Sequence, residues 1–257
     1  MTARLRGGRT DLEAWSVSIK SECATCPIQA CGGPSPAHST VPHRLIAVCR
    51  GEARDLDSEN VRLCWIVLSG VIALSTILED GRRQIIDFYR SGDLIPVSGL
   101  DCRLEATTDC RLCEVDLLEA AKTNKAWGQV SNAAREQTVR SMARHLQHVT
   151  VLGRFDGLER ICFFIADMAA THGLSPQADG ETNVRISLPM SREDIADYLG
   201  LNAETVSRLF SRLRKLGLIV TLSPSELVVP SVDALRRRIP AAFEANGALA
   251  EPGGVWP

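Results

Sequence analysis

No run of eighteen or more apolar residues occurs in the chain, and no apolar stretch follows the N-terminal arginines Arg4, Arg6 and Arg9. Neither a membrane-spanning helix nor an export signal is therefore expected, and the protein is read as cytoplasmic. The short motifs of common catalytic chemistry are missing too: there is no G-x-S-x-G, P-loop, H-E-x-x-H or glycine-rich dinucleotide fingerprint. An enzyme is not expected. Net charge is nearly absent, at −2 over 257 residues, and by itself identifies no partner.

What is present describes an ordinary globular protein, 45% hydrophobic and 23% charged, long enough for two modest domains. The charge is unevenly placed. Arg185 to Pro240 carries nine Lys/Arg against six Asp/Glu, a slightly basic end on an otherwise acidic chain, which is how a nucleic-acid-binding end would look, although the excess by itself is weak evidence. The nine cysteines are Cys23, Cys26, Cys31, Cys49, Cys64, Cys102, Cys110, Cys113 and Cys162. An odd count without an export signal points to reduced thiols, which when clustered serve metals or redox chemistry.

Along the chain, residues 1–43 have little apolar periodicity and run into Cys31-Gly32-Gly33-Pro34-Ser35-Pro36, which reads as a loop-like arm. From Leu63 short β-rich runs alternate with turn signals: LCWIVL, Ser69-Gly70, VIALSTIL, Glu79-Asp80-Gly81, RQIIDFY, Ser91-Gly92-Asp93. Asp-Gly between apolar runs predicts a hairpin, and the spacing predicts a small antiparallel barrel or roll with a further strand over Arg111 to Val115. Between Trp127 and Leu152 the period becomes helical. Val139, Met142, Leu146 and Val149 form a stripe suited to a partner helix or to the chain's own domain. A second, nearly all-apolar helix is expected from Leu158 to Thr171, and a tail from Ala241.

Leu188 to Gly217 carries the most specific signal. Ser191 and Asp194 predict a capped helix ending at Leu199, Gly200 supplies a tight turn, and Asn202 caps a second helix. In that second helix Val206, Leu209, Phe210, Leu213 and Leu216 form the expected buried stripe, while Glu204, Ser207 and Arg208 share the opposite face near its start. Such a face can read base edges in a major groove, Arg208 on guanine and Glu204 on cytosine. Arg212, Arg214 and Lys215 are placed for phosphates. LIVTL and ELVVP around Ser223-Pro224-Ser225 predict a two-stranded wing. An α/β domain with a solvated charged helix is the plain alternative.

From Leu63 to Pro230, and above all in SREDIADYLGLNAETVSRLFSRLRKLGLI with its E-x-x-S-R set Glu204, Ser207 and Arg208, the sequence resembles the CRP/FNR family of regulators, particularly its oxygen-sensing FNR branch. The resemblance implies an α+β chain with an N-terminal antiparallel β-roll sensor domain, a long dimerisation helix and a C-terminal winged helix-turn-helix. Boundaries are expected at 1–43 for the cysteine-containing arm, 44–126 for the roll, 127–152 for the dimerisation helix, 153–240 for the DNA-binding domain and 241–257 for the tail. It further implies a homodimer on double-stranded DNA bearing TTGAT-like inverted repeats, with RNA polymerase as a partner. Two departures stand out. Arg50-Gly51-Glu52-Ala53-Arg54-Asp55 puts charges where the family carries an apolar pair, leaving the roll's first edge unspecified, and Gly92 to Thr107 lacks the Arg-Ser phosphate cradle, so cyclic AMP is not the expected effector.

Cys23-x2-Cys26-x4-Cys31 packs three thiols into nine residues, spacing suited to one soft-metal centre. The resemblance implies that this trio and a distant cysteine hold an oxygen-labile 4Fe-4S cluster. The family register puts the fourth ligand at Cys113, with Cys110 and Cys102 as rivals. A structural zinc or a metal-free thiol sensor are alternatives, and an iron-sulfur redox protein is the alternative of another class. Cys49, Cys64 and Cys162 read as small buried hydrophobes, and His38 and His43 as loop residues that are not ligands.

Overall fold

The computed structural model describes residues 43–56, 63–95, 102–122, 124–172 and 183–240. Cys23, Cys26, Cys31 and the expected tail over 241–257 lie outside the described residues. The first half is a roll of two antiparallel four-stranded sheets. One contains β1 (His43–Val48), β8 (Cys110–Asp116), β3 (Leu63–Ser69) and β6 (Leu94–Ile95) in that order; the other contains β2 (Ala53–Leu56), β7 (Cys102–Ala106), β4 (Val71–Ile77) and β5 (Arg83–Arg90). Alternation along each strand sends Trp65, Val67, Ile72, Leu74, Tyr89, Ile95, Leu104 and Leu112 into the space between the sheets. The hairpin expected at Asp80-Gly81 joins β4 to β5, with Leu78 N donating to Arg82 O at 2.8 Å. Gly70 is required between β3 and β4: its φ is +89°, and a Cβ there would lie 2.5 Å from the Asp109 carbonyl oxygen.

The roll's first edge forms despite its charges. Cys49 N donates to Glu52 Oε2 at 2.7 Å, which closes the turn between β1 and β2. Arg54 lays its guanidinium 5.1 Å from the Trp65 ring centroid, and Asp55 pairs with Arg103, so the charged side chains stay on the surface while Leu56 enters the core. His43 opens β1 opposite Val115, which corrects its reading as a loop residue.

After a short helix α1 (Leu117–Ala120), α2 runs from Asn124 to Arg154, starting three residues before the expected Trp127 and ending two after Leu152. It turns Val130, Ala133, Gln137, Ser141, His148 and Val151 toward its own chain. The stripe Val139, Met142, Leu146 and Val149 faces away, 58 to 68% exposed, so it is not packed against the described residues of its own domain. Helix α3 (Gly157–His172) follows a capping exchange in which Asp156 Oδ1 accepts from Glu159 N at 2.9 Å and Glu159 Oε2 accepts from Asp156 N at 2.8 Å.

The C-terminal unit adds β9 (Val184–Ser187), α4 (Arg192–Leu199), α5 (Ala203–Lys215), β10 (Val220–Ser223), β11 (Glu226–Val229) and α6 (Val232–Arg236). Its sheet has the order β10-β11-β9, so the wing is anchored by a third strand. Its core includes Ile161, Ile165, Leu188, Ile195, Leu199, Val206, Phe210, Leu213, Ile219 and Val229. The outward face of β4 and β5, through Val71, Ala73, Ile85 and Phe88, belongs to that same core.

Candidate nucleic-acid interface

The two helices of the reading unit begin and end where their capping residues dictate. Ser191 and Asp194 form a reciprocal capping box on α4, with Asp194 N to Ser191 Oγ at 3.0 Å and Ser191 N to Asp194 Oδ2 at 3.0 Å. Gly200 takes the left-handed conformation, φ 60° and ψ 43°, that reverses the chain. Asn202 Oδ1 then accepts from Thr205 N at 2.7 Å and starts α5. Val206, Phe210 and Leu213 are buried and Leu209 is half-buried, which locks α5 onto α4. Leu216 departs from expectation: as the C-cap of α5 it lies past the last helical turn and is 45% exposed.

On the outer face Glu204, Ser207, Arg208, Ser211, Arg212 and Lys215 line one open groove. All four residues singled out as DNA contacts, Glu204, Ser207, Arg208 and Arg212, are exposed. Arg208 is directed toward the start of the helix, its Nη2 donating to Thr205 Oγ1 at 3.2 Å and its Nη1 lying 3.6 Å from Glu204 Oε1. Exposed pairs of this kind are worth little in water, so the guanidinium can exchange them for base contacts at small cost. Ser207 Oγ bonds back to Ala203 O at 2.9 Å, while Arg214 Nη2 donates to Ser211 Oγ at 2.9 Å.

One residue supporting this surface escaped the sequence reading. Arg160 on α3 donates to Leu152 O and Leu199 O, both at 2.8 Å, and to Phe155 O at 3.0 Å. It thereby ties the turn of the helix-turn-helix to the end of α2. Only the Arg type at the start of an apolar helix marked it, and its acceptors are backbone carbonyls that no side-chain pattern announces.

The roll cysteines fall on two faces. Cys102 and Cys110 are enclosed between the sheets. Cys113 points to the other side of β8, into a cluster with Cys64, Ile66, Val115 and, from α2, Val130 and Ala133. Its Cα partner on β1 is Leu45, two residues from the point where the N-terminal segment joins the roll. Cys31 and His43 are twelve positions apart, a reach of up to about 40 Å for extended chain. The four expected ligands are therefore compatible with one centre on this face. Among the described residues no three His, Cys, Asp or Glu side chains converge as a metal site. Cys64 and Cys162 are buried as expected, and burial pushes the Cys162 thiol up to about 11. Cys49 is exposed, because it stands in the β1–β2 turn and not inside a strand.

A capped helix-turn-helix, an anchored wing and an open face of exposed polar and cationic side chains define a DNA-binding transcription regulator of the winged-helix class. Residues 159–238 match the Crp-like helix-turn-helix domain. Over 176 residues the chain is 32% identical to the nitrogen fixation regulation protein FixK of Rhizobium meliloti (strain 1021), covering 67% of this chain and 76% of that one. Over 238 residues it is 29% identical to the transcriptional activatory protein AadR of Rhodopseudomonas palustris (strain ATCC BAA-98 / CGA009), covering 89% and 93%. The solved structure of FixK2 from Bradyrhizobium japonicum matches with a TM-score of 0.67 at 27% identity, covering 78% of this chain and 99% of that one. The chain belongs to the CRP/FNR family of transcription regulators, in its FNR branch, and is not an enzyme.

Proposed function

We propose that this protein is a homodimeric transcription activator that binds inverted repeats of TTGAT-like half-sites, engages RNA polymerase, and responds to oxygen through a 4Fe-4S cluster held by Cys23, Cys26, Cys31 and Cys113. The observation that carries the reading is the simultaneous exposure of two surfaces: Glu204, Ser207, Arg208 and Arg212 on α5, and Val139, Met142, Leu146 and Val149 on α2. Four large apolar side chains in helical register on one face call for a second copy, and a two-fold protein matches an inverted repeat. The name of FixK as a regulation protein supports regulation and that of AadR as a transcriptional activatory protein supports activation; the genes proposed as targets are anaerobic or microaerobic ones.

The placement of Cys113 beside the β1 entry supports it over Cys110 and Cys102 as the fourth ligand. When bound, a 4Fe-4S cluster supplies reactivity toward oxygen. The residues of the chain would hold it between the N-terminal segment and the face of β8 that packs on α2. Anaerobic purification followed by iron and sulfide analysis, with retention on an inverted-repeat duplex measured before and after air, tests the reading. Iron and sulfide in cluster stoichiometry with air-sensitive retention is the expected result. Zinc, or no metal, rejects the cluster, and absence of site-specific retention at moderate salt rejects DNA binding in favour of an electron carrier. Full iron and sulfide in Cys113→Ser, with loss in Cys110→Ser or Cys102→Ser, reassigns only the fourth ligand.

A further inference from the structure

The roll grips the reading unit of its own chain at two points along α4. Arg83, the first residue of β5, forks onto the near end: its Nε donates to Asp197 Oδ2 at 2.7 Å, its Nη2 to Asp194 Oδ1 at 2.5 Å, and its Nη1 to Glu105 Oε2 at 3.0 Å within the roll. Asp194 uses its other oxygen for the capping box, so a single carboxylate links the start of α4 to the roll. Burial opposes the charge on Arg83, but hydrogen bonds to Asp197 and Asp194 outweigh it and hold the guanidinium above its ordinary pKa.

The far end of α4 is held from three elements. Gln84 Nε2 donates to Asp197 O at 2.7 Å and Tyr198 O at 3.2 Å, two carbonyls of the last turn. His148 of α2 lies 2.7 Å from the same Tyr198 O through Nε2 and stacks on the Tyr198 ring at 4.0 Å between centroids. Phe88 of β5 and Phe164 of α3 flank that ring at 5.3 and 5.8 Å. Two attachments separated along a helix fix its direction as well as its position. Because α4 and α5 share the core of Ile195, Leu199, Val206, Phe210 and Leu213, whatever aims α4 aims the reading helix. In this arrangement the reading face and the α2 stripe are both uncovered, so the gripped state is compatible with DNA and with a second copy.

We infer that Arg83 and Gln84 are positioning residues for DNA reading: acting through Asp194, Asp197 and Tyr198, they set the angle of α5 against the roll and hence the half-site spacing that a dimer accepts. The inference rests on the proposed function, namely a dimer on an inverted repeat. The test uses the full chain and an operator selected by the wild type from randomised duplexes, together with versions carrying one base pair more or fewer between the half-sites. Arg83→Ala, Gln84→Ala and Asp197→Asn are compared with wild type for affinity at each spacing, base preference within a half-site, sedimentation and melting.

The variants are expected to remain dimers with unchanged base preference and to lose about tenfold in affinity at the native spacing, as a reading unit correctly aimed about one-tenth of the time requires. Their penalty for altered spacing should shrink relative to wild type. An equal loss at every spacing, which is the signature of a weakened fold, overturns the inference, as does an unchanged spacing penalty. If the wild type selects no operator, the proposed function fails instead.

Discussion

Arg208 and Arg212 stand about one helical turn apart on α5, and different effects are expected of their substitution. Arg208, near the start of the helix and beside Glu204, can present a planar pair of donors to a guanine edge; Arg212, further along the groove, is proposed to meet the DNA backbone. Arg208→Ala should therefore cost roughly 1 to 3 kcal/mol and relax preference at one base pair per half-site. Arg212→Ala should weaken all sequences alike and lower the salt dependence. Identical preference profiles on randomised half-sites would show that the reading face is misassigned. A second residue-scale prediction concerns Asp167, whose carboxyl is pushed up to about 6 by burial, with Asp87 adding to the rise and Arg144 and Arg90 opposing it. Between the ordinary carboxylate value of 3.8 and about 6 the unfolded chain has released a proton that the folded chain keeps, so stability falls as pH rises through that window. Asp167→Asn should accordingly raise stability at about pH 7.5 by up to roughly 3 kcal/mol, with the gain fading toward about pH 4. Melting curves across that range check it, and a gain that grows on acidification contradicts the sign.

At the scale of elements, α2 inverts the usual arrangement for a helix on a monomer. Gln137, Ser141 and His148 face inward, while Val139, Met142, Leu146 and Val149 face out. The inward polar residues have partners: Gln137 Nε2 donates to Ser141 Oγ at 3.4 Å, and Arg144 Nη2, beside them, donates to Asp87 Oδ2 at 2.9 Å. No described residue of the same chain covers the outward stripe, so burial against a second copy is the proposed gain. Leu146→Glu should leave the monomer folded, since the position is 60% exposed, and should shift sedimentation toward monomer with loss of operator affinity. An unimpaired dimer would place the seam elsewhere. Helices α4 and α5 were legible in the sequence because caps, turn glycine and apolar period coincide within Ser191 to Leu213. Strand β9 was not, since VRIS offers four residues with one buried side chain and its place in the sheet comes from pairing with β11. The roll's first edge was unreadable for a related reason: the charges of Glu52, Arg54 and Asp55 are answered by partners across the turn or on other strands.

For the whole molecule, the roll, α2 and the reading unit meet at a seam whose members lie far apart in sequence. Arg83 and Asp194 are separated by 111 positions, so local pattern could show a charge on a hairpin and a cap on a helix but not their meeting. The family register puts the fourth candidate ligand at Cys113, and the structure adds the face it occupies; Cys23, Cys26 and Cys31 are candidates by spacing and resemblance and lie outside the described residues. The core is shared more deeply than the seam's polar contacts suggest, because Val71, Ala73, Ile85 and Phe88 of the roll lie in one cluster with Ile161, Leu199 and Phe210. Calorimetry of the full chain is expected to show a single cooperative transition for roll and reading unit; two resolved transitions would count against the shared core. The same four side chains bear on how freely such proteins can exchange parts. A chimera that joins this reading unit to a foreign roll must reproduce the shape of the β4–β5 outer face, or it leaves an apolar patch open to water. Modularity in this chain is therefore limited by a surface that belongs to neither half alone.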